Sequence, residues 1–363
     1  MCNGTATALQ VWYADHARRL PWRSPPGAPA PDPYRVWLSE VMLQQTTVAA
    51  VQSYFTRFTS RWPTVADLAA ADDGEVMAAW AGLGYYARAR NLLACAREVA
   101  RRGAFPQTEA ALRELPGLGA YTAAAVAAIA FGARAVVVDA NVERVVARLF
   151  AIGEPLPGAR KAIRAAADAI TPDSGAGDFA QAMMDLGATV CTARQARCLI
   201  CPLAHLCRAR ASGAPEAYPV KAARAARPER AGRAFWIARE GPDGGREVWL
   251  VRRPGRGMLG GMRALPDDGW SARGDGSGAA PLALDWQALG QVRHGFTHFQ
   301  LALAVCGATI GAGNPAGEGE WWPMDRIGEA GLPTLFARAA LLGTTLVTPR
   351  NEASGENNGR ECA

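Results

Sequence analysis

Residues 191–207 read CTARQARCLICPLAHLC and concentrate half of the chain's eight cysteines in one segment. Thiolates are the ligands that soft metal centres prefer, and four of them so close in sequence can surround one centre. A tetrahedral zinc site also suits a Cys-x-x-Cys pair, although usual zinc sites combine two such short pairs. The spacing C-x6-C-x2-C-x5-C therefore favours an iron–sulfur centre only modestly over zinc. Its four candidate ligands are Cys191, Cys198, Cys201 and Cys207.

The sequence before this segment has the pattern of a helical domain. It contains Ala- and Arg-rich stretches with apolar residues three and four positions apart, broken at Pro and Gly. Examples are residues 34–58, 87–102 and 121–131. These patterns predict a mostly α-helical domain over residues 1–210 that ends with the cysteine loop.

A basic stretch follows, and then the composition changes. Residues 211–232 hold Arg and Lys among Ala and Pro, and we interpret them as an exposed linker that is either a solvated spacer or a strap along phosphates. Short strands at 235–238, 248–252 and 299–305, with a helix at 326–342, predict a smaller α+β domain over residues 233–345. The polar segment 346–363 is predicted to be disordered.

Length and charge narrow the class of protein. A chain of 363 residues is longer than one hydrophobic core usually grows, so two domains are expected. The net charge of +6 fits a polyanionic partner. No apolar run is long enough to span a membrane, and the first twenty residues lack a signal-peptide core. We therefore predict a cytoplasmic protein without membrane segments.

A glycine-containing turn precedes one of the helical segments. Residues 115–119 read LPGLG, and Gly117 and Gly119 allow a tight turn that exposes backbone amides at the start of a helix. Such a turn binds anions, although an ordinary helix–helix turn has the same composition. Asp139 lies about twenty residues further on, at the start of the next helical segment.

One carboxylate lies where an apolar residue is expected. Residues 37–46 read WLSEVMLQQT, and helical spacing places Glu40 on the same stripe as Val36 and Leu43. Acids are rare on an apolar stripe unless they are paired or functional. A structural acid with a nearby donor and a catalytic acid both remain open from this pattern alone.

Together these segments resemble the adenine DNA glycosylases of the helix-hairpin-helix, or endonuclease III, superfamily, over about residues 9–342. The resemblance implies a mostly α helix-hairpin-helix glycosylase domain with an iron–sulfur cluster loop, followed by a smaller α+β Nudix-like domain. It implies one 4Fe-4S cluster on the four cysteines. Double-stranded DNA with adenine opposite 8-oxoguanine or guanine would be the substrate. We expect a monomer at the bacterial nucleoid, with a sliding clamp or a downstream repair nuclease as candidate partners.

The resemblance also implies catalytic roles. Glu40 would protonate adenine at N7 and then activate water, and Asp139 would stabilise the oxocarbenium-like transition state. A transient covalent bond from Asp139 to the sugar is a further role that the resemblance implies. Tyr121 occupies the position at which bifunctional relatives carry a nucleophilic lysine. A phenol cannot form an imine, so a monofunctional glycosylase is expected.

The remaining matches in the helical domain are expected to contact DNA. Tyr85 would wedge into the duplex where adenine is extruded, and Asn141 would support Asp139. Ala140 and Glu143 depart from the family pattern, which puts local phosphate contacts in doubt. The predicted DNA- and base-contacting residues here are Arg23, Gln45, Thr46, Leu83, Tyr85, Gly117, Gly119, Asn141 and Gln181.

Residues 253–262 and 292–299 resemble the Nudix-like domain of the same family. The R-E-x-x-E-E core that holds metal ions in Nudix hydrolases is absent from the sequence, which predicts recognition without hydrolysis. The loop of Phe296, Thr297 and His298 would inspect 8-oxoguanine. A bifunctional lyase and a redox-sensing DNA-binding protein are the alternative functions; Tyr121 argues against the first, and the two acids argue against the second.

Overall fold

In the computed structural model, the described residues are 2–222, 226–254, 258–311 and 313–345. The chain divides into two units, Met1–Arg224 and Ala225–Ala363, and each unit has its own hydrophobic core. The tail predicted at 346–363 lies outside the described residues.

The first unit is helical, as its sequence pattern predicts. None of the helices in the described ranges is long and apolar enough to cross a membrane. The helices are α1 Cys2–His16, α2 Pro33–Leu43, α3 Val48–Arg61, α4 Val65–Ala70, α5 Asp73–Trp80, α6 Ala87–Arg102, α7 Glu109–Leu112, α8 Ala120–Phe131, α9 Ala140–Phe150, α10 Arg160–Ile170, α11 Ala176–Thr189 and α12 Arg208–Ala211.

Local sequence signals set the ends of the helices that carry the site. The Asp32 side chain accepts from the backbone of Tyr34 at the start of α2, and Pro33 occupies the first turn. Asp139 caps α9 in the same way. The helix α8 ends at Gly132, whose φ of 66° is left-handed and therefore suits glycine.

The centre of the helical unit is α8. Its residues from Thr122 to Ala130 are all buried, so the helix is enclosed on every side. Small side chains let α11 approach closely, because a Cβ on Gly177 would lie 2.5 Å from the Ala128 carbonyl oxygen. Since α2 also packs on α8, the three helices bring residues from distant parts of the chain to one place.

The linker is shorter than the predicted range 211–232. The Leu156 N–H donates to the Val220 carbonyl at 2.9 Å, which ties this part of the stretch to the helical unit. At the other end, the first strand begins at Glu229, which pairs with Gln300. Backbone hydrogen bonds at both ends therefore shorten the segment, and composition does not reveal such bonds.

The second unit contains a mixed sheet. The strands run in the order β3-β2-β1-β5-β4, with β6 paired to β2, and β1 is parallel to β5. Their bounds are β1 Glu229–Glu240, β2 Arg246–Arg252, β3 Arg263–Ala264, β4 Gln287–Gly295, β5 Gln300–Thr309 and β6 Glu320–Pro323. The three predicted strands lie in or overlap β1, β2 and β5.

The helix predicted at 326–342 begins later than expected. Residues 324–329 form a 3-10 turn, and α13 spans Thr334–Thr344 directly after Pro333. Proline has no N–H and favours the first turn of a helix, so the helix begins beside it. Apolar residues of α13, among them Phe336, pack against the sheet.

Candidate functional site

A cavity of about 1020 Å³ lies in the helical unit, and most of the predicted site residues of this unit line it. Leu83 and Tyr85 are not among its lining residues. The predicted residues that line it are Arg23, Glu40, Gln45, Thr46, Gly117, Gly119, Tyr121, Asp139, Asn141 and Gln181.

Glu40 reaches this cavity from the buried face of α2. Its side chain is almost fully buried, and burial raises the pKa of its carboxyl to about 7. The hydrogen bond from Tyr121 opposes this rise, whereas the charge of nearby Asp139 adds to it and that of Arg23 opposes it. Glu40 is therefore partly protonated near neutral pH, which a surface glutamate is not.

Tyr121, in the first turn of α8, is the partner of Glu40. Its O–H donates to Glu40 Oε2 at 2.7 Å. Burial and the neighbouring carboxylates of Glu40 and Asp139 raise the pKa of the phenol well above its usual value. The phenol is therefore a neutral hydrogen-bond donor, and no amine nucleophile occupies this position.

Asp139 is held by its role as the cap of α9. Its Oδ1 accepts from the Val142 N–H at 2.7 Å, and its Oδ2 accepts from Asn141 Nδ2 at 2.9 Å. The Asn141 Oδ1 in turn accepts from Arg144, whose Nε donates to the Cys191 carbonyl at 2.8 Å. A chain of hydrogen bonds thus links Asp139 to the cysteine loop, and Asn141 is the side chain that holds Asp139 Oδ2.

Arg23 has a buried acidic partner that sequence reasoning missed. Its Nη1 lies 2.8 and 2.7 Å from the two oxygens of Asp185, which is fully buried on α11. The Arg18 Nε donates to the same carboxylate at 2.6 Å. Two guanidinium groups thus offset the burial of one acid. A contact from Arg23 to the base stays a prediction, with Asp185 as its anchor.

Gln181 has unused hydrogen-bonding capacity at the cavity. Its side chain is buried, and its Oε1 has no hydrogen-bond partner within the described part of the chain. An unpaired buried acceptor is costly, so a ligand that donates to it would be favoured.

The glycine-containing turn at residues 115–119 has the predicted backbone geometry. Gly117 has a φ of 76°, and a Cβ there would lie 2.7 Å from the Asn91 Cβ. Gly119 is the N-cap residue of α8 and has no side chain to cap it, which leaves first-turn amides available to an anion.

Two loops beside the cavity carry the other predicted DNA contacts. Gln45 and Tyr85 are both exposed and both have a positive φ, 55° and 49°. Thr46 lies next to Gln45 in one loop, and the buried Leu83 lies in the other. Non-glycine residues with positive φ are uncommon and mark backbone that its surroundings hold in place.

The four loop cysteines line one small pocket with Arg148. All four are free thiols, and the Arg148 Nη1 lies 3.3 Å from the Cys191 Sγ. Burial raises the pKa of the Cys201 thiol to about 11, and the charges of the other three thiols add to the rise. No group of three or more His, Cys, Asp or Glu in the described ranges has the geometry for a single metal ion.

In the second unit, the loop that is predicted to inspect 8-oxoguanine, residues 296–298, is a bend between β4 and β5. Thr297 and His298 are exposed at its tip. Phe296 stacks on Phe299 with ring centroids 4.7 Å apart, and its N–H donates to the Phe299 carbonyl. Trp270, which the sequence did not reveal, packs against Phe296 with ring centroids 5.7 Å apart. Aromatic packing therefore holds the base of the loop and leaves its tip to solvent.

Comparisons with known proteins agree with this geometry. Residues 38–172 match the HhH-GPD superfamily of base excision DNA repair proteins, and residues 235–341 match the NUDIX domain. The human adenine DNA glycosylase is 36% identical over 85% of this chain and 67% of its own length. The chain belongs to the adenine DNA glycosylases. The family member of Mycolicibacterium smegmatis is 46% identical over 57% of this chain and 70% of its own length.

A solved structure supports the fold of the helical unit. A thermostable thymine-DNA glycosylase is 30% identical, covers 58% of this chain and 96% of its own, and superposes with a TM-score of 0.52. The chain is therefore a DNA glycosylase of base excision repair, and the predicted two-domain architecture is confirmed. Its superfamily commonly carries a 4Fe-4S cluster.

Proposed function

We propose that this adenine DNA glycosylase is monofunctional and removes adenine paired with 8-oxoguanine or guanine from double-stranded DNA. The observation that carries the proposal is the buried Glu40, whose pKa is raised to about 7, in the same cavity as Asp139 and Tyr121. A carboxylic acid whose pKa lies near 7 is partly protonated at neutral pH and can donate a proton to a leaving base.

The reaction requires adenine outside the helical stack, since its reacting atoms are inaccessible in the duplex. The Glu40 carboxyl protonates N7 of the extruded base, which makes adenine a better leaving group. As the N-glycosidic bond breaks, the sugar gains positive charge, and the Asp139 carboxylate stabilises it. Glu40, now ionised, takes a proton from the water that attacks the sugar.

Tyr121 supports the monofunctional part of the proposal. Its phenol is a hydrogen-bond donor to Glu40, and it cannot form the imine with the sugar that strand cleavage requires. The product is then an abasic site in an uncut strand. The phenol in place of an amine argues against the lyase alternative. Glu40 and Asp139 argue against a protein that only binds DNA, because binding needs neither acid.

The second unit would identify the base opposite adenine. Thr297 and His298 stand exposed at the tip of a loop whose base is held by Phe296. Their side chains offer hydrogen-bond donors and acceptors to a modified base edge. Because the metal-binding acidic core of Nudix hydrolases is absent from the sequence, we propose recognition without hydrolysis.

We also propose that Cys191, Cys198, Cys201 and Cys207 hold one 4Fe-4S cluster. The fit rests on four free thiols around one pocket, with Arg148 directed at one sulfur. When bound, the cluster supplies iron–thiolate bonds that crosslink the loop. Base excision moves no electrons, so its role is structural. A monomer at the nucleoid, and contacts with a sliding clamp or a repair nuclease, stay predictions.

Single-turnover excision on defined duplexes tests the proposed activity. Duplexes carry adenine opposite 8-oxoguanine, guanine or thymine, or carry thymine glycol, and each is analysed with and without alkali. We expect strand breaks at adenine opposite 8-oxoguanine and guanine, visible only after alkali. Cleavage at thymine glycol without alkali would instead establish the lyase alternative.

A further inference from the structure

Arg88 lies in the first turn of α6, yet its guanidinium points away from its own helix. Its Nη1 donates to the carbonyl oxygens of Val41 and Met42, each at 3.1 Å, and to that of Gln44. Val41 and Met42 lie in the last turn of α2 and Gln44 follows it, so these carbonyls have no partners within that helix. One nitrogen of Arg88 therefore caps the helix that carries Glu40.

The second terminal nitrogen reaches both of the loops beside the cavity. Nη2 lies 3.3 Å from Thr46 Oγ1, 3.1 Å from the Leu83 carbonyl and 3.4 Å from the Gly84 carbonyl. A planar guanidinium can join acceptors in several directions at fixed angles, which an ammonium group cannot do. Arg88 thus connects the segments 44–46 and 83–85 to the end of α2.

The stability of α6 does not explain this residue. A cation in the first turn of a helix opposes the helix dipole, whereas a cation at the end of a helix is favoured. Arg88 is unfavourably placed for α6 and favourably placed for α2. Burial also lowers the pKa of its guanidinium. The acceptors around Nη1 and Nη2 offset part of the cost of burial, while Nε has no hydrogen-bond partner in the described part of the chain.

The backbone on either side of Arg88 is strained. Gln45 and Tyr85, one in each joined segment, adopt positive φ values that non-glycine residues rarely have. The guanidinium lies 5.3 Å from the ring centroid of Tyr85 and 5.4 Å from that of Trp80. Its contacts therefore hold both the backbone and the exposed ring of the predicted wedge.

We propose that Arg88 is a positioning residue that locks segments 44–46 and 83–85 into one rigid DNA-probing unit and so sets the discrimination between mispairs. This inference rests on the proposed function, because it takes those segments to be the ones that probe the stack. The residue acts through its neighbours and does not touch the reacting atoms. Replacing Arg88 should therefore affect the discrimination between mispairs more than the chemistry at Glu40.

Arg88→Met and Arg97→Met form a matched pair for the test. Arg97 lies on the same helix and also bridges other segments, through the Ala69 and Ala71 carbonyls and Asp73, but on the exposed surface. For each variant we measure the melting temperature. We also measure the single-turnover rate of adenine excision and the Kd, on one duplex with adenine opposite 8-oxoguanine and on one with adenine opposite guanine. Arg88→Lys is the second variant, in case Arg88→Met does not fold.

A fluorescent neighbour of the target adenine gives a readout that is independent of excision. In a Glu40→Gln background, 2-aminopurine beside the adenine reports unstacking through a rise in fluorescence at saturating protein. We expect Arg88→Met to lose most of this rise, and the preference for 8-oxoguanine over guanine to fall about ten-fold. Arg88→Lys should give a fluorescence rise and a mispair preference between those of Arg88→Met and the parent protein. Arg97→Met should keep both at the level of the parent protein.

The outcomes separate this inference from the proposed function. If the unmodified protein excises no adenine opposite 8-oxoguanine, the proposed function fails first. If it does excise, and folded Arg88 variants keep the mispair preference and the fluorescence rise, Arg88 does not position the unit. An equal slowing on both mispairs, with the rise intact, would show only a structural role and would also overturn the inference.

Discussion

Glu40→Gln should abolish adenine excision while the protein still binds the mispaired duplex. The amide keeps the size of the side chain and can still accept the hydrogen bond from Tyr121, but it carries no proton acidic enough for the base. General acid catalysis contributes about 10² to 10⁴ in rate, so a loss of about 10³-fold is expected. Single-turnover excision and a binding isotherm on the same duplex measure the two effects.

Glu143→Gln is the matched control for this substitution. Glu143 is also an acid on a helix of the same unit, but it pairs with Arg160 at 3.2 Å and does not line the cavity. Its replacement should change the excision rate less than about three-fold, as is usual for a surface ion pair. If Glu40→Gln retained a substantial part of the excision rate, Glu40 would not be the acid.

Cys198→Ser should yield protein that has lost its iron and its visible absorption. A hydroxyl is a poor ligand for a soft centre, and binding free energy that depends on the fold is also folding free energy. We expect the helical unit to lose about 3–4 kcal/mol of stability, which lowers its melting temperature by roughly 10 °C. Iron analysis, the absorption spectrum and thermal unfolding measure this.

Cys95→Ser provides the control for that experiment. Cys95 is fully buried in the helical core and does not line the pocket that the four loop cysteines share. This variant should keep iron and visible absorption despite a modest loss of stability. Zinc in place of iron in anaerobically purified protein would contradict the cluster proposal.

The sequence predicts those parts of the site that depend on local spacing. Glu40 could be identified because helical periodicity placed an acid on an apolar stripe. The hairpin glycines, the cap at Asp139 and the four cysteines are likewise signals within a few residues of one another. For these features, local geometry and resemblance agree with the structure.

The missed residues depend on contacts across the chain. Asp185 lies 162 positions from Arg23, and no local pattern links the two. Arg88 sits in an Arg-rich helix, where its contacts with α2 are indistinguishable in sequence from a solvated charge. The end of the linker and the start of α13 were misplaced because they are set by strand pairing and by Pro333, not by composition.

The pH dependence of single-turnover excision, at saturating protein, tests the role of Glu40 most directly. Because the acid form acts and its pKa is raised to about 7, the rate should be constant below pH 7 and fall towards tenfold per unit above it. Tyr121→Phe removes a hydrogen bond that lowers this pKa, so the fall should move to higher pH. An unchanged rate between about pH 6 and pH 9, or a shift to lower pH in the variant, would contradict the account.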